Sequence, residues 1–172
     1  MNKVFEMTDL RVTKYFLGVE VMQSCSGIFI CQQKYAMDMM KKFKMEDCKP
    51  MSTPMTTSEK LSKDDDSEKI YEGLYKSLIG SLLYLTASKP DILFVVSVLS
   101  RFMHSPSEKH FSVAKRVLRY IKETVALRVQ FSKSSKCDLK LLGYSNNDWE
   151  GCVDDSRSTL GYLFSLSSGF FT

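Results

Sequence analysis

Carboxylates are the side chains here best suited to chemistry, and they gather in three places: Asp64-Asp65-Asp66, Asp148 behind the amides Asn146 and Asn147, and Asp154-Asp155. A two-metal site for phosphoryl chemistry needs several such oxygens converging on ions about 3.5–4 Å apart. The triplet does not promise that. Three consecutive side chains point in different directions, and no turn glycine sits among them as a calcium loop requires. It reads as a solvated acidic run ahead of a helix N-terminus, where negative charge is favoured. Thiol and imidazole chemistry is equally unpromising. Cys25, Cys31, Cys48, Cys137 and Cys152 form no C-x-x-C pair, and His104 and His110 are the only histidines, so no zinc site is expected.

The cationic side chains are better ordered. Lys115, Arg119 and Lys122 fall at i, i+4 and i+7, a basic line on one helix face that serves either phosphates or water. Lys76, Gly80 and Tyr84 share another helix face in the same way. A glycine inside a helix costs about 1 kcal/mol relative to alanine, so Gly80 asks for a reason, either a close neighbour helix or a close ligand. Tyr71, Tyr75 and Tyr84 are candidates to stack on bases, but tyrosines at helical spacing also serve as core.

Three kinds of segment must position these groups. Lys14 to Gln23 and Ile28 to Cys31 are rich in aromatic and β-branched residues around the short Ser24-Cys25-Ser26-Gly27 loop, which predicts a β-hairpin. From Gln33 the period becomes helical, with Tyr35, Met39, Met40 and Phe43 apolar and Lys41, Lys42 and Lys44 in the last turn. Pro50, Pro54 and frequent Ser and Thr mark residues 47–70 as a linker. Helices are then expected over Tyr75 to Ala87, Pro90 to Met103 and Ser107 to Glu123. The second is apolar nearly all round and so sandwiched; the third carries its buried stripe on Phe111, Ala114, Val117, Leu118 and Ile121. Beyond Thr124 the period is two: Leu127, Val129 and Phe131, then Leu139, Leu141 and Tyr144, then Leu160 to Leu166, with Gly169-Phe170-Phe171 opening a further strand. The fold class is α+β.

Composition agrees with a globular chain. Of 172 residues 44% are hydrophobic and 26% charged, and the net charge of +4 permits an anionic partner without demanding one. No apolar run approaches the length of a membrane span, and the first residues do not resemble a secretory signal. With an odd number of cysteines, this predicts a soluble chain with reduced thiols, cytoplasmic or nuclear.

Several separated words in order carry a resemblance. Tyr15-Phe16-Leu17-Gly18-Val19-Glu20-Val21, Gln32-Gln33-Lys34-Tyr35, Tyr75-Lys76-Ser77-Leu78-Ile79-Gly80-Ser81-Leu82-Leu83-Tyr84-Leu85, Ser88-Lys89-Pro90-Asp91-Ile92 and Tyr144-Ser145-Asn146-Asn147-Asp148-Trp149 resemble the Pol polyprotein of copia-type LTR retrotransposons. The resemblance covers nearly the whole chain, from the end of the reverse-transcriptase palm to the start of a ribonuclease H domain. It implies residues 1–47 as palm-end hairpin and helix, 48–70 as linker, 71–124 as a three-helix thumb and connection, and 125–172 as an incomplete antiparallel ribonuclease H-like sheet.

The same resemblance assigns roles. Phe16, Leu17 and Gly18 would lie in the hairpin that grips a primer end; a glycine there admits a phosphate backbone, or simply suits a twisted hairpin. Lys76, Gly80 and Tyr84 would face the minor groove of template and primer, and Lys115, Arg119 and Lys122 would contact phosphates. The polymerase aspartate pair is missing from this chain. At the first ribonuclease H ligand the family has Asp where this chain has Asn146, a weak neutral ligand for a hard cation; Asp148 remains nearby, and takes the ligand place only if the register slips. The implied reading is a retrotransposon reverse transcriptase/ribonuclease H fragment whose parent makes DNA on RNA with Mg2+. This chain is expected to be inactive, with no catalytic or metal residue and no cofactor of its own. An RNA–DNA hybrid is the expected partner, with no membrane and no small-molecule substrate. The alternatives are a non-catalytic hybrid-binding module and a helical protein-interaction domain, the last favoured by an exposed apolar stripe on the Ser107 to Glu123 helix.

Overall fold

The computed structural model describes residues 13–56, 59–133, 140–148, 154, 158–166 and 169–171. The N-terminal sheet is antiparallel, in the order β1 (Tyr15–Phe16), β2 (Val19–Ser24), β3 (Gly27–Cys31) and β4 (Val129–Ser132). The expected hairpin is present, with Ser24 opposite Gly27. Its first run is broken, however, because Phe16 pairs with Val19 and the chain reverses through Leu17 and Gly18. Both residues are left-handed, φ 46° and 74°, as a tight hairpin turn of the right twist demands. Gly18 adopts this freely, whereas Leu17 carries a steric cost on the order of 1–2 kcal/mol. Gly18 is therefore a turn residue and not part of a strand.

The strand over Val129–Ser132 completes this sheet, although the sequence reading grouped it with the later strands. Ile28 pairs with Phe131 and Ile30 with Val129. At Gly27, φ is 151°, and a Cβ would lie 2.2 Å from the Phe131 carbonyl oxygen, so β4 approaches too closely for any side chain there.

Among the described residues four α-helices follow β3 in chain order: α1 (Gln33–Lys42), α2 (Glu72–Leu85), α3 (Leu93–Ser100) and α4 (Glu108–Glu123). Glu20 accepts a hydrogen bond from the Lys34 N–H at 2.8 Å, placing a carboxylate at the start of α1. Pro90 opens a single 3₁₀ turn before α3, which ends at Ser100, short of the expected Met103. Leu78, Ile79, Leu82 and Leu85 of α2, Val96 and Leu99 of α3, and Val117, Leu118 and Ile121 of α4 are all fully buried in one core. Each such side chain contributes roughly 1.5–3 kcal/mol by leaving water, so this cluster dominates the fold. Ala114, Val117, Leu118 and Ile121 of the α4 stripe are inside it and Phe111 is partly buried against it, so α4 shows no exposed apolar stripe for a partner helix.

Residues 47–70 carry no helix or strand among the described positions, yet they are not a free linker. Leu61 is buried in the core, and Met55 and Ile70 pack against it. The Ile70 N–H donates to the Pro106 carbonyl, and the Glu108 N–H to that of Glu68. The segment is a strap across α4. A second antiparallel sheet, β5 (Leu141–Asp148), β6 (Thr159–Leu166) and β7 (Gly169–Phe171), matches the expected strands. Among the described residues no helix is long and apolar enough to cross a membrane.

Candidate nucleic-acid interface

The hairpin turn and α2, far apart in sequence, meet. Tyr84 on α2 donates its hydroxyl hydrogen to the Leu17 carbonyl, and a Cβ on Gly18 would lie 3.2 Å from the Tyr84 oxygen. The close neighbour that Gly18 admits is thus a tyrosine of the same chain. Tyr84 is steadied from behind by Tyr35 of α1, edge-on with ring centroids 4.9 Å apart. The tip itself is left bare: Phe16 is 55% and Leu17 71% exposed.

Lys76 and Gly80 continue this surface along the outer face of α2, both exposed. A Cβ on Gly80 would meet nothing within 4 Å among the described residues, so none of them packs against it there. Lys76 forms an ion pair with Glu72 one turn earlier. The hydrogen bond from Lys76, outweighing the cost of burial and helped by the charges of Lys76 and His104, holds the Glu72 carboxyl below its usual range. Of the other tyrosines, Tyr75 is core. Its hydroxyl donates to the Leu99 carbonyl at 2.9 Å, and burial drives its pKa far up. Tyr71 is 79% exposed.

The basic line on α4 is used differently from the expectation. Arg119 Nε donates to the Lys49 carbonyl at 2.7 Å, and Lys122 Nζ to the Glu46 and Cys48 carbonyls at 2.5 and 2.9 Å. Arg116 reaches the Thr53 carbonyl and hydroxyl, and Lys109 the Lys60 carbonyl. The partners run backwards along the strap as the donors run forwards along α4, so the two segments are antiparallel. Lys115 faces Glu108 at 3.6 Å and lies over the Phe111 ring. Arg119 and Lys122 fasten the strap. Sequence reasoning missed Lys109 and Arg116, and their backbone acceptors leave no mark in side-chain types.

Asp65, Ser107 and His110 form a cluster whose residue types suggest a nucleophile, but whose geometry is a helix cap. The Ser107 N–H donates to His110 Nδ1 at 3.0 Å, and the Ser107 hydroxyl donates to Asp65 at 2.5 Å. With Nδ1 an acceptor, the imidazole proton lies on Nε2, which is buried on the side of the Ser62 backbone. Both Ser107 and His110 are fully buried, so no substrate reaches the hydroxyl. Burial is the largest influence on His110 and pushes its pKa down, with Lys69 and Lys109 acting alongside against Asp65 and the Ser62 backbone. For Asp65 burial acts upward, but hydrogen bonds from Ser107 and Ser67 and the charges of His110 and Lys69 prevail and its pKa falls. The acidic run is thus partly engaged, at the start of α4.

Asn146 and Asp148 lie on β5, their backbones opposite Gly161 and Thr159; their side chains, and Trp149, are outside the described residues. Asp154 accepts from the Ser62 hydroxyl and the Lys63 N–H at 2.5 and 2.9 Å, while Asp155 lies outside the described residues. Among the described residues no three His, Cys, Asp or Glu side chains converge as a metal site would.

A family described as reverse transcriptase (RNA-dependent DNA polymerase) matches residues 1–57. An uncharacterised mitochondrial protein of Arabidopsis thaliana is 37% identical over 163 residues, 94% of this chain and 66% of that one. The retrovirus-related Pol polyprotein from transposon RE1 of the same plant is 36% identical, covering 96% of this chain and 11% of its own length. That from transposon TNT 1-94 of Nicotiana tabacum is 33% identical, covering 98% and 13%. The chain therefore belongs to the copia-type retrotransposon reverse-transcriptase family. It is a reverse-transcriptase-related fragment that spans about a tenth of the Pol polyproteins it matches. No solved structure matches it.

Proposed function

We propose that this chain holds an RNA–DNA hybrid on the surface made by the hairpin turn and α2, and that alone it catalyses neither DNA synthesis nor hybrid cleavage. The observation that carries the reading is the meeting of Phe16-Leu17-Gly18 with the Lys76–Gly80–Tyr84 face through the Tyr84–Leu17 hydrogen bond. The open space over Gly80 supports it, since a groove edge can come close only where no side chain stands. Absence of the aromatic-x-Asp-Asp motif and the amide at Asn146 support the non-catalytic half. Arg119 and Lys122 are instead bonded to strap carbonyls, and Lys115 is paired with Glu108.

Fluorescence anisotropy of a labelled hybrid, titrated at several salt concentrations, tests it. Binding should weaken as salt rises, because phosphate contacts release counterions. Gly80→Leu should keep the fold, its side chain entering open space, while weakening binding by about tenfold or more, the loss of a contact worth on the order of 1.4 kcal/mol. Unchanged affinity in Gly80→Leu would sink the surface assignment. Magnesium-dependent cleavage of the hybrid by the purified chain would sink the non-catalytic half.

A further inference from the structure

The outer face of the N-terminal sheet carries a cleft of about 560 Å³ beside β1, lined by Lys14, Tyr15, Glu20, Met22, Gln23 and Lys34. Pairing sets Tyr15 directly across from Glu20, so the ring lies over the same face as that carboxylate. Tyr15 is 51% exposed, and the Lys34 ammonium stands 5.8 Å from its ring centroid. Lys14 is exposed on the wall, and Arg128 brings a third cation to the face, its Nη1 3.3 Å from Met22 Sδ. Glu20 is the opposing charge, but its carboxylate is engaged by the Lys34 N–H.

We propose that this cleft binds one unpaired nucleotide next to a hybrid held on the hairpin–α2 surface, and in that respect it rests on the function proposed above. The base stacks on Tyr15 and the flanking phosphates lie between Lys14 and Lys34. The size favours this occupant: the volume suits a single small ligand, whereas a duplex cannot enter. An aromatic face with cations around it is also the chemistry by which proteins take single strands without regard to sequence. Position agrees as well, because Tyr15 immediately precedes Phe16 at the exposed turn, so a strand leaving the hybrid reaches the cleft over one residue of β1.

Three labelled probes decide it by anisotropy: a blunt RNA–DNA hybrid, the same hybrid with a short single-stranded DNA extension, and one whose extension is abasic. The extension should tighten binding by about tenfold, and the abasic one should not. Tyr15→Ala, on an exposed edge strand, should erase that advantage and leave blunt-hybrid affinity unchanged. Lys14→Ala with Lys34→Ala should lower the salt slope for the extended probe by about 0.7 for each lysine removed. An extension without advantage, or an advantage that survives Tyr15→Ala, overturns the inference and spares the hybrid surface. Where no hybrid binds, free single-stranded DNA is the probe: Tyr15-dependent binding keeps the cleft and discards the hybrid surface, and no binding discards both.

Discussion

Acid should loosen this protein through one residue, His110, well before its carboxylates titrate. The ring is fully buried and stacked on Phe102 at 3.9 Å, and Nδ1 accepts the Ser107 N–H at 3.0 Å. Protonation would remove that acceptor and strand a charge in the core, and burial accordingly lowers the folded pKa. The sign follows. A base with a depressed folded pKa contributes its stability in full above the unfolded value, about 6.5, and loses it as pH falls toward the folded one. In that window the unfolded chain binds the extra proton, and the loss approaches a limiting slope of about 1.4 kcal/mol per pH unit. Between pH 6.5 and 5.5 the integrated loss is at most about 1 kcal/mol, a fall of about 2–4 °C in Tm for a domain of this size. Asp65, whose pKa is also lowered, adds its own loss only as pH falls below about 4. Urea denaturation at several pH values reads the effect directly. His110→Gln should flatten the curve across the window while keeping the cap, because glutamine at this position completes the same capping box. His104→Gln should not, since that ring is 93% exposed. A parent curve flat from pH 6.5 to 5.5, or a His110→Gln curve of undiminished slope, refutes the reasoning.

The strap makes a second prediction: Arg119→Ala with Lys122→Ala removes three hydrogen bonds to the carbonyls of residues 46, 48 and 49 and should expose this stretch to limited proteolysis. Hybrid affinity should change little in the same variant, and a large loss would restore these side chains to the interface. At the C-terminal cap of α4, Lys89 Nζ donates to the Thr124 carbonyl at 2.6 Å and to its hydroxyl at 3.0 Å while the residue is only 6% exposed. Burial, against the attraction of Asp91 and Cys31, lowers its pKa. Lys89→Met leaves that carbonyl without its cap and should cost about 1–3 kcal/mol, seen in urea melts and as faster amide exchange near residues 120–124.

Much of this fold was legible because burial writes a period into sequence. Of the α4 stripe, Ala114, Val117, Leu118 and Ile121 emerge wholly buried while Phe111 is partly buried at its edge, and Ser107 after Pro106 caps the helix as its type suggests. Period two likewise marks Val129 and Phe131 as a strand. It states which residues share a face but not which strand lies alongside, and here the partner is β3, about a hundred residues earlier.

The candidate site shows a harder limit. A glycine in a turn, a glycine in a helix and a line of cations each fit a ligand or the chain itself equally well on paper, and the structure divides them. Gly18 is answered internally by Tyr84, and Arg119 and Lys122 are answered by strap carbonyls, acceptors that every residue possesses and that no side-chain pattern can announce. Gly80 alone of these meets nothing among the described residues. A helix glycine that neither packs nor turns carries its cost of about 1 kcal/mol unrecovered, and Gly80→Ala should return it as added stability. What stands to be lost by that substitution is the close approach of something outside the chain, which is why the binding assay, and not the melt, is where Gly80 must show its worth.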